Sequence, residues 1–197
     1  MKKGANAPFS LNKIMMFFIS DTHFFHKNIL KYSNRPFASV EAMNEFLIKK
    51  WNNIVSKNSE IYHLGDFAFC KDQEFLELIS QLNGKLTIIL GNHDKNVINN
   101  KSKLYQMGVK VFEYKEVRYN NNTICLFHYG QRVWNKSHHG SWHLYGHSHG
   151  KLSPLGKSVD VGVDAPFITG KAEYRPFSIE EISEYMKFRQ IHDKIEE

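Results

Sequence analysis

A chain of 197 residues with 42% hydrophobic and 23% charged content has the make-up of one soluble globular domain with a sizeable core. No segment approaches the ~20 consecutive apolar residues of a membrane span, and no long basic run marks a nucleic-acid arm. The net charge of +6 fits an attraction for phosphate-bearing ligands as well as it fits a lysine-rich surface.

From the N-terminus, Asn6, Pro8, Asn12 and Lys13 interrupt the apolar character that a signal peptide needs. Residues 1–13 therefore read as a flexible leader, residues 14–197 as a single domain, and the expected location is cytoplasmic. Met15–Ile19 has strand length and leads into Asp21. Val40–Val55 places Met43, Phe46, Leu47, Trp51 and Ile54 on one helical face, with Ser39 as N-cap. Glu60–Leu64 reads as a short buried strand ending at Gly65-Asp66. Asp72–Leu82 reads as a helix stopped by Asn83-Gly84, and Lys85–Leu90 as a strand running into Gly91-Asn92-His93-Asp94. Strands and helices in alternation predict an α/β core, whose ligands gather beyond the carboxyl ends of strands.

The second half is richer in strands. Val109–Phe112, Lys115–Tyr119, Thr123–Phe127, Trp142–Tyr145 and Ser158–Val163 are predicted strands, and Asn120-Asn121-Asn122 is a hairpin turn. Ser178-Ile179-Glu180-Glu181 forms a capping box that opens a last helix with Ile182, Tyr185 and Met186 inward. One domain with two sheets is the economical reading. Cys70 and Cys125 lie far apart outside any C-x-x-C spacing and read as reduced thiols.

Polar clusters follow five of these strands: Asp21-Thr22-His23, Gly65-Asp66, Gly91-Asn92-His93-Asp94, His128 and Gly146-His147-Ser148-His149. In each, a buried strand fixes the backbone and the next turn presents a ligand to a shared rim. Mixed carboxylate and imidazole donors suit Mn, Fe or Zn better than Ca. Seven candidate ligands exceed the four of a structural zinc and suit two ions sharing a bridging carboxylate. A hydroxide between such ions would be the nucleophile, and an imidazole beside them would protonate the departing oxygen. His93, followed at once by Asp94, fits a histidine oriented by a carboxylate.

The series D-x-H, G-D, G-N-H-D, H and G-H-x-H, in this order over about Met16–Val163, resembles the calcineurin-like metallophosphoesterase superfamily. Ser20-Asp-Thr-His-Phe-Phe-His-Lys-Asn and Tyr62-His-Leu-Gly-Asp-Phe resemble its compact branch, common in bacteria and their phages. The resemblance implies a β-sandwich of two mixed sheets flanked by helices, in α/β/β/α layers. It also implies that Asp21, His23, Asp66 and His149 hold a first metal. Asp66 would bridge to a second, held also by Asn92, His128 and His147. Asn92 and His93 would contact the phosphate, and His93, oriented by Asp94, would be the acid. Ala165–Pro176 is longer and more polar than the family pattern, which leaves substrate choice open.

The expected function is a metal-dependent phosphoesterase, first a phosphodiesterase on nucleotides or small diesters. The alternatives are a phosphomonoesterase or protein phosphatase, then a nuclease, then a non-catalytic protein-binding scaffold. The expected cofactors are two divalent ions, Mn ahead of Fe, Zn or Ni. The expected partner is a small phosphate ester. His63 reads as a packed histidine or one supporting a ligand. Arg35 reads as a phosphate clamp or a solvated surface residue, and His138 and His139 as substrate contacts or plain loop residues. His26 and His143 have no assigned role.

Overall fold

The computed structural model describes residues 15–192; the leader read over residues 1–13 lies outside them. Four strands, β1 (Met16–Ile19), β2 (Glu60–His63), β3 (Lys85–Ile89) and β4 (Lys110–Phe112), run parallel in one sheet. β5 (Lys115–Tyr119), β6 (Asn122–Leu126), β7 (Trp142–Tyr145) and β8 (Ser158–Asp160) form the other, with β5 antiparallel to β6 and the rest parallel. β9 (Phe177–Ser178) returns to the first sheet antiparallel to β1, giving the orders β4-β3-β2-β1-β9 and β5-β6-β7-β8. Both sheets are mixed, and they stack as a sandwich flanked by helices.

The two-residue period of a strand divides the first sheet between two cores. Phe17, Ile19, Ile61, Leu86 and Ile88 face outward to the helices, whereas Phe18, Tyr62, Leu64 and Ile89 face the second sheet. The outer core is closed by α1 (Ile29–Tyr32), α2 (Val40–Ile54), α3 (Asp72–Gln81), α4 (Lys95–Asn99) and α5 (Lys101–Gln106) through Ile29, Met43, Leu47, Trp51, Phe75, Leu78, Val97 and Leu104. The inner core joins Ile124, Leu126, Trp142, Leu144 and Val159 of the second sheet to Ile179, Ile182 and Met186 of α6 (Ile179–Lys187). The side of β7 that carries His143 is covered by the stretch around Trp134, whose ring lies 5.4 Å from that histidine.

The predicted caps form. Ser39 accepts a hydrogen bond from the Ala42 N–H, and Ser178 and Glu181 make the reciprocal capping box of α6. Phe46, placed on the buried face of α2 by its spacing, is 37% exposed and sits at the edge of that face. The short helices α1, α4 and α5 have no counterpart among the predicted elements. They run four to six residues without a side-chain cap, too short for an apolar period to register.

The chain past β1 and the chain past β8 are stitched together. The Ser20 N–H bonds the Val161 carbonyl at 3.2 Å and the Val163 N–H bonds the Ser20 carbonyl at 3.1 Å. This join brings the carboxyl ends of both sheets to one rim. Among the described residues, no helix is long and apolar enough to cross a membrane.

Candidate metal centre

Asp21, His23, Asp66, Asn92, His128, His147 and His149 converge on that rim. Asp21, His23 and His149 offer ligand atoms that all lie within 4.8 Å of one another, and so do Asp66, His128 and His147. Asp66 stands between the sets: its Oδ2 is 3.5 Å from His23 Nε2, and its Oδ1 is 3.6 Å from His128 Nε2. Asn92 joins the second set through Oδ1, which is 3.1 Å from His128 Nε2 and 3.0 Å from His147 Nδ1.

Local backbone geometry aims these groups. Asp21, His23, Asp66, His147 and His149 all have positive φ, between 48° and 66°, in the left-handed region that costs an ordinary side chain energy. Two glycines permit close approach. A Cβ on Gly146 would lie 2.0 Å from Ser20 Oγ and 2.4 Å from Asp21 Oδ2, and one on Gly91 would lie 2.4 Å from Asp66 Oδ1.

Three of the four imidazoles, those of His128, His149 and His23, are steered through the far nitrogen, as ligand histidines generally are. His128 Nδ1 bonds the Leu64 carbonyl at 2.7 Å, turning Nε2 to Asp66. His149 Nδ1 bonds Asp164 Oδ2 at 2.7 Å, and His23 Nδ1 lies 3.2 Å from His26 Nδ1. His26 stacks on Phe69 at 4.0 Å, so the histidine without an assigned role supports His23.

The residues fit divalent cations on two observations. His23 Nε2 is buried with no hydrogen-bond partner, while facing a carboxylate. Burial, followed by the neighbouring carboxylates of Asp160, Asp66 and Asp164, pushes Asp21 well above the ordinary carboxylate range. Burial, then the neighbouring His149 and Arg35, drives His23 far below the ordinary histidine value. Burial and then His128 lower His147 as well. Crowded carboxylates beside neutral imidazoles are what divalent ions complete.

Several supporting groups are placed differently from their sequence readings. Asp94 does not orient His93. Its carboxylate accepts from the Asp66, Phe67 and Gly91 backbone N–H groups at 3.0, 2.8 and 2.7 Å, so it locks two ligand loops together. His93 is exposed at the rim, its ring centroid 5.1 Å from Phe69 and 6.1 Å from His23. Arg35 is neither solvated nor a phosphate clamp. It is 4% exposed, with its guanidinium committed to Asp164, Met43 and the backbone of Asp21 and Thr22.

His63 is buried, with Nε2 2.8 Å from Thr22 Oγ1, and packs behind the first ligand loop. The His138 and His139 rings lie 4.1 Å apart, tilted, in a 3₁₀ turn outside both ligand sets. His143 is buried in β7. In Ala165–Pro176, Phe167 and Ile168 pack on the inner core and Tyr174 on the outer one. Two acids without a sequence assignment also build the site. Asp160 accepts from Ser148 Oγ and the Gly150 and Gly162 N–H groups at 2.7, 2.9 and 2.7 Å, which folds the His147–His149 turn. Asp164 holds His149. A carboxylate in a buried strand, as at Asp160, was the available signal.

Fold and rim together define a phosphoesterase type of metal centre on a two-sheet sandwich. Comparisons with known proteins agree. Residues 14–157 match the calcineurin-like phosphoesterase superfamily domain. The uncharacterized protein MJ1445 of Methanocaldococcus jannaschii is 36% identical over 180 residues, covering 87% of this chain and 89% of that one. The Gene 66 protein of Mycobacterium phage L5 is 36% identical over 80 residues, 39% of this chain and 38% of the phage protein. In fold, the protein of unknown function AQ665 from Aquifex aeolicus matches with a TM-score of 0.66 at 23% identity, over 87% of this chain and 98% of that chain. The chain belongs to the calcineurin-like phosphoesterase superfamily. Its general activity is metal-dependent hydrolysis of phosphate esters.

Proposed function

We propose that the protein is a dinuclear phosphodiesterase acting on nucleotides or small organic diesters, with Mn as the preferred metal. The observation that carries the two-ion reading is Asp66, whose two carboxylate oxygens each face a different ligand set at 3.5 and 3.6 Å. Asp21, His23, Asp66 and His149 would hold one ion, and Asp66, Asn92, His128 and His147 the other. When bound, the ions supply charge neutralisation at the phosphoryl oxygens and an activated water for attack on phosphorus. The imidazole donors favour Mn over Mg.

The chain's own groups divide the remaining work. The Asn92 side chain and the exposed His93 ring stand where a phosphoryl group meets the rim. His93 gives a proton to the leaving oxygen, a role that fits a solvent-exposed imidazole at the edge of the ligand cluster. Beside His93 a cavity of about 540 Å³ is lined by Phe69, Lys71, Lys95 and Asn96. This space supports a diester, because a second ester arm needs room on the leaving side. Two lysines against one carboxylate, Glu74, leave this lining with a positive balance that fits an anionic substrate.

The test is hydrolysis by Mn-loaded protein of bis-nitrophenyl phosphate, nitrophenyl phosphate, and the 2′,3′- and 3′,5′-cyclic nucleotides. Diesters should turn over faster than the monoester. Preference for the monoester would make the protein a phosphomonoesterase instead.

A further inference from the structure

Arg35 leaves α1 on a short loop and is buried, yet its hydrogen bonds go to none of the seven candidate ligand side chains. An arginine has five N–H donors, and here every one is used. Nε and Nη2 grip Asp164 Oδ1 and Oδ2 at 2.9 and 2.7 Å. Nη2 also donates to the Asp21 carbonyl at 2.6 Å, and Nη1 to the Thr22 carbonyl at 2.8 Å and to Met43 Sδ at 3.3 Å. The guanidinium therefore fixes the backbone of the turn that presents Asp21 and His23. Through Asp164 it reaches the third member of the same set, since Asp164 Oδ2 is 2.7 Å from His149 Nδ1. An ionised carboxylate only accepts, so Nδ1 of His149 carries a proton towards Asp164, with Ser33 Oγ 3.3 Å from the same nitrogen, and in the neutral ring Nε2 keeps a lone pair for a metal.

We infer that Arg35 and Asp164 form a buried clamp that positions the first metal site, holding the Asp21–Thr22 backbone and setting the tautomer of His149. This rests on the two-ion reading above. The second set has different supports: the Leu64 carbonyl behind His128 and Asn92 beside His147. The sites share Asp66, and the His147 N–H bonds Asp21 Oδ2 at 2.9 Å, but the groups behind the ligands differ, so a clamp variant should weaken the first site more than the second. Lysine cannot replace Arg35, because a point charge with three donors cannot span two carbonyls and a bidentate carboxylate.

The experiment counts Mn bound per folded chain by equilibrium dialysis, with thermal melts of the metal-free proteins to establish folding. Wild type should hold two ions. Arg35→Lys and Asp164→Asn should keep one tightly and bind the other on the order of 10–100-fold more weakly. The neutral pair Arg35→Gln with Asp164→Asn leaves no unpaired buried charge, and should behave like the single variants if either of those fails to fold. Asn92→Ala should weaken the opposite ion, so Asn92→Ala combined with Asp164→Asn should hold no ion tightly. In the metal-free protein, imidazole ¹⁵N shifts should report the Nδ1–H form of His149 in wild type and its loss in Asp164→Asn.

Two tight ions in folded Asp164→Asn, equal weakening of both ions, or a tight ion surviving in the combined variant would overturn the clamp. A wild type holding one ion would overturn the two-ion reading instead. The clamp would then stand only if Asp164→Asn weakens that ion.

Discussion

In the first ligand set Asp21 and His23 are buried and His149 is half-buried, and all three are tied from behind by Arg35, Asp164 and His26. In the second, Asp66 and His128 are buried, but Asn92 and His147 are exposed at the rim, with Tyr129 packed 4.6 Å from the His147 ring. Depth therefore separates two sets that use the same donor chemistry. The deep set is shaped by the fold, whereas the shallow one is completed by side chains that solvent and ligand also reach. Asp66 belongs to both, which makes it the point where their difference ends.

Removing that shared point should have the largest effect. Asp66→Ala should lower diester hydrolysis by ~10³-fold or more and reduce Mn content at both sites, since several kcal/mol of transition-state stabilisation depend on the metals. Steady-state assays with elemental analysis check this, and near-wild-type turnover at saturating Mn would remove Asp66 from the centre.

His93 lies outside both sets, so its removal tests chemistry without disturbing the comparison. His93→Ala should slow alkyl and ribose diesters by roughly 10²–10⁴-fold, and nitrophenyl esters far less, because nitrophenolate departs without a proton. Both ions should remain. Equal losses on the two leaving groups would recast His93 as a phosphate contact, and loss of metal would make it a ligand.

The difference in depth should appear as a difference in exchange. With a chelator in excess, Mn should leave in two phases, and His147→Ala should accelerate the faster one by about 10–100-fold. A single phase would dissolve the distinction between the sets. Re-addition of Mn should restore activity better than Mg.

The smallest effect lies away from the rim. His143 Nδ1 bonds the Cys125 carbonyl at 3.1 Å, and its Nε2 accepts from the Gln131 N–H at 3.1 Å, so the neutral ring is already satisfied. Burial, against the pull of the Cys125 and Tyr129 carbonyls, lowers its pKa from 6.5 to about 4. Between those values the unfolded chain binds a proton that the folded ring refuses, so stability falls as pH drops through the window. Metal-free wild type should melt lower at pH 5 than at pH 7, and His143→Gln should flatten that slope. An unchanged slope would assign the acid sensitivity to other buried groups, such as His63.

Much of this was legible in the sequence because ligands that follow buried strands sit at fixed offsets from strong apolar runs. Asp21, Asp66, Asn92 and His147 each come within two residues of a predicted strand or a turn glycine. The supports were less legible because they act across long sequence separations. Arg35 and Asp164 are 129 residues apart, and neither local pattern announces a buried pair. Asp94 misled for the opposite reason. Adjacency to His93 suggested a local contact, but the left-handed turn at Asp66 leaves two N–H groups that need an acceptor, and Asp94 supplies it. The helices after His93 escaped notice because pieces of five and six residues are held by their neighbours rather than by their own propensity.

The left-handed backbone at Asp21, His23, Asp66, His147 and His149 sets a limit for anyone who would engineer this protein for durability. Each position asks a side chain to sit where glycine rests more easily, at roughly 1 kcal/mol apiece. A designer optimising only for heat resistance would write glycine at several of them and obtain a sturdier sandwich with nothing at its rim. The fold's tolerance for harsh conditions and its capacity to gather cations thus compete for the same five residues. Gains in robustness are better sought elsewhere, for example at the exposed face of α6.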